Sequence, residues 1–288
     1  MSDWPQYPQP QQPPGGPVGA PPSYSSWVLD HPHEEPRNYA LILRNRQYSA
    51  WKPLVGIFAA GVLMLIVMPL VMMPILIIGL AIEKGGSGDF LQTINDALMM
   101  KTITVSGMLY LNLTLASLIP ASWLLVRTLH NMRPRWLASV RPRIRWGFLA
   151  ACFAATIPAL LAMMGVGMLL PGDPNGVTGK LNDITGQTIA LAIVLLLTTP
   201  FQAIGEEYLF RGYLAQAFGA LTKSRVAAVV IPSILFGLAH GLQNFPLFFD
   251  RFAFGFTAGL LTVLVGGLEA GIAMHVMNNL LAFGVTLV

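Results

Sequence analysis

The chain has 288 residues, 54% of them hydrophobic and only 10% charged, where ordinary soluble domains carry roughly 25%. So few charges cannot cover the surface of a soluble globule, and a single cysteine, Cys152, excludes an intrachain disulfide framework and any cysteine-clustered metal site. The net charge of +4 does not point to nucleic acid, because most Arg and Lys residues sit in gaps between long uncharged runs, as they do in membrane proteins.

Residues 1–36 contain ten prolines interspersed with Gln, Gly, Ser and Tyr. Such a segment buries too little apolar surface to offset the entropy of ordering it, and it reads as a disordered tail extending to about residue 50. It lacks the basic start, apolar core and small-residue cleavage site of a secretory signal. A passive tail is the plain reading; a Pro-rich docking segment for a partner is the alternative.

Uncharged runs follow at 54–82, 102–126, 146–172, 184–205, 226–249, 252–268 and 270–288. Crossing a bilayer core about 30 Å thick takes about 20 helical residues. The first five runs satisfy this and the last two are marginal, so the fold class is an all-α polytopic bundle of about seven spans. It divides into three N-terminal helices over 54–172 and a C-terminal group over 184–288. Prolines at 69, 74, 120, 158, 200 and 232 predict kinks. With the N-terminus cytoplasmic, 13 of the 17 basic residues fall on one side, including Arg127, Arg133, Arg135, Arg141, Arg143 and Arg145 and, at the next such turn, Arg211, Lys223 and Arg225. By the positive-inside rule that side is cytoplasmic, which predicts a multi-pass protein of the cell membrane. The six-Arg turn, with Trp136 and Trp146, is expected at the interface, where anionic lipid is one candidate contact.

Ionisable groups within hydrocarbon cost about 2.5–3.5 kcal/mol each on insertion scales, so those inside the runs are functional candidates: Glu206, Glu207, Arg211, His240, Glu269 and His275. Glu207 and Arg211 are i,i+4, the order that favours a helical ion pair. Glu206 lies about 100° away on an α-helix, so it is expected to face a different neighbour and remain available for proton transfer. The plain alternative is that both acids solvate a helix end. Residues 221–225 form the polar turn midway between Glu206 and His240. An antiparallel hairpin about that turn places the two at one height, roughly 25 Å above it, with Phe236 one turn beneath the imidazole. His275 and Asn279 share a helix face, where they could donate to an oxyanion or act as interhelical polar glue.

Together, Glu206-Glu207-x-x-x-Arg211, Phe236-x-x-x-His240 and His275-x-x-x-Asn279 resemble the CPBP family, the CAAX proteases and bacteriocin-processing enzymes of the Abi group. The resemblance covers roughly residues 187–283. It implies an intramembrane endopeptidase acting on a membrane-associated protein or peptide. Glu206 and His240 would activate a water, His275 and Asn279 would stabilise the oxyanion, and Glu207, Arg211 and Phe236 would support them. It leaves open a glutamate-dependent route and a metalloprotease holding Zn²⁺ on Glu206, His240 and His275; the chain has no His-Glu-x-x-His segment, the strongest sign of the latter.

Glu269 departs from the apolar residue expected at that point of the last span. A straight helix from Ile184 would carry Glu206 close to the cytoplasmic face while His275 stays about 13 Å above its turn, so a break at Pro200 is expected to bring them level. Gly86-Ser87-Gly88-Asp89 matches an aspartyl-protease pattern without a second intramembrane Asp, and no rhomboid-type Gly-x-Ser-Gly lies on a span. A non-catalytic scaffold or immunity-type protein that keeps the fold is the second hypothesis. A small-solute transporter is the third, disfavoured because no internal repeat is visible.

Overall fold

The computed structural model describes residues 32–35, 37–85, 89–169, 183–241 and 244–287. Most of the Pro-rich tail and the Gly-Ser-Gly of the aspartyl-like pattern lie outside the described residues. Among those described the protein is helical, with one isolated bridge between Ser139 and Gly267. Among the described residues six helices are long and apolar enough to span a membrane: α1 (Trp51–Glu83), α2 (Val105–Leu129), α3 (Trp146–Gly167), α4 (Gly186–Thr222), α6 (Phe245–Val265) and α7 (Glu269–Leu287). A shorter apolar helix, α5 (Arg225–Ala239), completes the set, so each predicted run has its helix.

These helices turn large apolar side chains outward. Phe58 is 75% exposed and Leu196, Leu161 and Leu264 are comparable, an arrangement that only hydrocarbon solvates well. The buried core lies toward one end, where Tyr39, Leu118, Val126, Leu137, Phe210, Tyr213, Phe236 and Leu268 form one cluster.

Several boundaries differ from expectation. Residues 37–50 are packed rather than part of a disordered tail: Tyr39, Ala40, Ile42 and Leu43 are buried, and the Tyr39 hydroxyl donates to the Leu137 carbonyl at 2.5 Å. The reason is apolar content after the prolines end, together with Gly219, where a Cβ would come within 2.1 Å of the Ala40 carbonyl oxygen. The fifth run stops at Ala239, because Gly241 has φ +92 and Asn244 caps the next helix by accepting from the Leu247 N–H at 3.1 Å. No break occurs at Pro200, which sits inside helical residues Gly186–Glu206. Instead, helical geometry widens to π over Leu63–Val67, just before Pro69, and over Glu207–Leu214. A π turn makes room where a proline ring would meet the preceding turn; the second has no proline and carries the Glu-Glu-x-x-x-Arg motif.

The expected hairpin forms. Lys223 takes a left-handed conformation, Ser224 caps α5 through the Ala227 N–H at 3.2 Å, and α5 returns along α4 so that Phe236 meets Phe210 edge-on at 5.2 Å. At the same end, Val140 N–H donates to the Gly266 carbonyl and Leu268 N–H to the Ala138 carbonyl, each at 2.9 Å. Arg44 reaches the Ala220 carbonyl at 2.9 Å. The basic segments 37–52, 127–145 and 223–225 therefore gather at one end of the bundle. Arg211, counted with them in the sequence, is buried inside.

Helices α2 and α4 approach closely at Gly205, where a Cβ would lie 2.1 Å from the Leu115 carbonyl oxygen and 3.1 Å from the Ala116 Cα. Gly205→Ala must push backbone apart and is expected to cost about 1–3 kcal/mol. Gly61→Ala, which meets nothing within 4 Å, should be neutral or stabilising; thermal unfolding in detergent compares them. His130, hydrogen-bonded to the Tyr213 hydroxyl at 3.1 Å, is lowered from 6.5 to about 4 by burial and then by the charge of Lys52. Below pH 6.5 the unfolded chain takes up a proton that the folded ring refuses until about pH 4, so this residue costs stability as pH falls through that window. His130→Gln should flatten the pH dependence of the unfolding temperature between pH 6.5 and 5 relative to the wild type.

Candidate active site

The site forms where the π turn of α4 faces α7. Contrary to the expectation that Glu206 faces a different neighbour from Glu207, both reach one imidazole, each at its own ring nitrogen. His275 Nε2 lies 3.2 Å from Glu206 Oε2, and Nδ1 lies 2.8 Å from Glu207 Oε1. The same Glu207 oxygen accepts from Arg211 Nη1 at 2.8 Å, so the predicted ion pair forms. The four side chains are almost wholly buried. Their order is acid, imidazole, acid, guanidinium, so each charge adjoins its opposite when the ring is protonated. Glu206 and His275 hold one proton between them, either as carboxylate and imidazolium or as acid and neutral ring.

Helices α4 and α7 run antiparallel here. One turn beyond the Glu206–His275 contact, Asn279 Nδ2 donates to Gln202 Oε1 at 3.0 Å, and Gln202 Nε2 donates to Glu206 Oε2 at 2.8 Å. His240 approaches from α5. Its Nδ1 lies 2.8 Å from the Phe236 carbonyl oxygen, a bond in which Nδ1–H donates and the basic lone pair of the neutral ring sits on Nε2. Phe236 underlies the group: the Arg211 guanidinium carbon stands 4.3 Å from its ring centre, His240 packs on it at 4.6 Å and His275 at 5.8 Å.

All seven residues named from the sequence thus lie in one neighbourhood. Three features were not read from it. Gln202 is a polar residue one turn before Glu206, a visible signal that passed as part of an apolar run. Gly271 leaves room for Glu207, since a Cβ there would stand 2.6 Å from Oε2. Glu269, the apparent departure, is buried against Arg145, with Nη2 to Oε2 at 2.7 Å and Nε to Oε1 at 2.9 Å.

For a metal, Glu206 and His275 offer one oxygen and one nitrogen, and the Nδ1 bond to Glu207 is of the kind that orients a ligating histidine. A catalytic zinc needs a third protein ligand. Among the described residues no group of three or more His, Cys, Asp or Glu side chains converges to hold an ion; His240, the third candidate ligand, packs on the Phe236 ring that His275 also contacts.

Residues 188–281 match the family model of the type II CAAX prenyl endopeptidases, Rce1-like. That segment is similar to these endopeptidases. It contains Glu206, Glu207, Arg211, Phe236, His240, His275 and Asn279, so the motif resemblance and the family match fall on the same residues. The chain is also 27% identical over 168 residues to the uncharacterized protein YyaK of Bacillus subtilis (strain 168). That alignment takes in 56% of this chain and 55% of the relative, so the chain spans about half the length of the curated protein it matches. No solved structure matches.

Within the matched segment Arg211 is the permanent cation that balances Glu207. Arg211→Met strands a buried carboxylate and is expected to cost about 3–5 kcal/mol. Arg251→Met, which breaks an exposed pair with Asp250, should cost less than about 1 kcal/mol. Unfolding temperature and monodisperse yield in detergent measure both.

Proposed function

We propose that the protein is an intramembrane endopeptidase hydrolysing a peptide bond in a membrane-associated protein or peptide. The observation that carries this reading is the buried Glu206–His275 contact, one shared proton between an acid and an imidazole, backed by Glu207 and Arg211. Peptide hydrolysis needs a base to deprotonate water, donors for the oxyanion and a proton for the leaving nitrogen. Glu206 takes the proton of a water aligned with His240 Nε2. The water oxygen bonds to the carbonyl carbon, and the negative charge moves to the carbonyl oxygen. There the Asn279 amide supplies one N–H donor, and His275 Nε2–H, released by Glu206 as that acid takes the water's proton, supplies the other. On collapse the C–N bond breaks and the proton held by Glu206 passes to the nitrogen.

Glu207 and Arg211 act through His275, fixing its tilt and charge. The segment's family describes endopeptidases of CAAX prenyl substrates, and an apolar membrane anchor on the substrate agrees with a site enclosed by spanning helices. The basic end, close to which the site lies, is the side we assign to the cytoplasm by the positive-inside rule.

The test is cleavage of membrane-associated peptides by purified protein in detergent. Glu206→Gln, His240→Ala and His275→Ala should each lower turnover by about 100-fold or more, with Glu206→Gln keeping its folded yield, and wild-type turnover should survive exhaustive chelation. Chelator-sensitive activity restored by zinc would replace this mechanism with a metal centre. Full cellular function in Glu206→Gln would favour the scaffold instead.

A further inference from the structure

The amide of Gln202 connects the proposed base to the proposed oxyanion donor across two helices. It is 6% exposed. Its Nε2 donates to Glu206 Oε2 at 2.8 Å, and its Oε1 accepts from Asn279 Nδ2 at 3.0 Å. The amide has one chemically sensible orientation: flipped, it would set an oxygen lone pair against the carboxylate and an N–H₂ against an N–H₂. The Glu206 carboxylate therefore orients Gln202, and Gln202 orients Asn279, whose Oδ1 also accepts from Asn278 Nδ2 at 3.3 Å. Asn279 keeps a second N–H, with its direction set by the first. Below Gln202 on the same face of α4, Thr198 and Thr199 take Asn112 Nδ2 at 2.7 and 3.3 Å, which fixes this stretch of α4 against α2.

We propose that Gln202 is a positioning residue: it holds the Glu206 carboxylate and the Asn279 amide at a fixed separation, so that base and oxyanion donor are arranged before substrate arrives. The inference rests on the endopeptidase reading for its kinetic consequence, but not for its structural one. Preorganised donors contribute to catalysis because they need no reorganisation at the moment of reaction. Gln202→Met keeps the volume and removes both hydrogen bonds, so it should lower kcat about 10- to 100-fold with KM within about twofold. In the double variant with Asn279→Ala the two losses should fall well short of multiplying, since each removes the same arrangement.

A second readout needs no substrate. N,N′-dicyclohexylcarbodiimide adds to protonated carboxyl groups in apolar surroundings, and mass spectrometry of the labelled protein separates Glu206 from Glu207. A carboxylate that loses a donor is protonated more of the time, so Gln202→Met should raise labelling of Glu206 several-fold and leave Glu207 unchanged. Equal labelling of Glu206 in wild type and variant overturns the proposal, as does a loss of kcat without altered labelling, the result of a merely structural role. If wild type cleaves nothing while labelling responds, the endopeptidase reading fails and the positioning role stands. Should Gln202→Met not fold, Gln202→Asn, polar but too short to bridge, is expected to give the same labelling result.

Discussion

The protein is organised around the burial of charge. An isolated carboxylate within an apolar bundle would be too costly to keep ionised, yet two adjacent ones are buried here. They are held because His275 accepts the approach of both and Arg211 completes the row. Removing Arg211 leaves Glu207 with an uncompensated charge, whereas loss of the Glu206 charge is met by a neutral His275 ring, so the row depends most on its permanent cation. The π turn over Glu207–Leu214 is the backbone counterpart of this constraint. The two carboxylates, about 100° apart on the helix, meet the ring from its two nitrogens, Glu206 at Nε2 and Glu207 at Nδ1, and the widened turn begins at the second of them. π segments are rare and concentrate at functional sites.

Packing around the row follows from the need for close approach. Glycines stand where backbone or charged groups come nearest: Gly205 against the Leu115 carbonyl, Gly271 against Glu207, and Gly255 beside Arg211. The Arg145–Glu269 pair does the same work at the start of α7. Its hydrogen bonds, with those of Val140 and Leu268, fix where that helix begins, and His275 stands six residues on, about 9 Å along the axis. A turn far from the chemistry thus sets the depth of the imidazole.

Much of this was legible in the sequence because the signals were of long range and one kind. Uncharged runs located the helices, and the polar turn at 221–225 placed α5 against α4 in a register that the Phe210–Phe236 contact matches. What was not legible depended on pairing in three dimensions. Glu269 looked like an irregularity until Arg145, 124 residues away, met it. Arg211 was counted with a basic turn because a buried cation and an interfacial one look alike in one dimension. Residues 37–50 were read with the prolines before them, although Tyr39, Ile42 and Leu43 have the apolar character to dock. Gln202 was passed over because a lone amide carries no motif; only its two partners give it meaning.

The apparent conflict of depth resolves through length rather than a kink. Helix α4 has 37 residues, about 55 Å at 1.5 Å per residue, far more than the roughly 30 Å of a hydrocarbon core. Glu206 is its twenty-first residue, about 30 Å from Gly186, so one span's worth of helix has been used when the chain reaches the first carboxylate. The remainder of α4 lies among the basic segments, against residues 39–43 and α5. A charged row at this level is buried in protein close to the basic end of the bundle, where enough apolar wall surrounds it to strengthen each hydrogen bond.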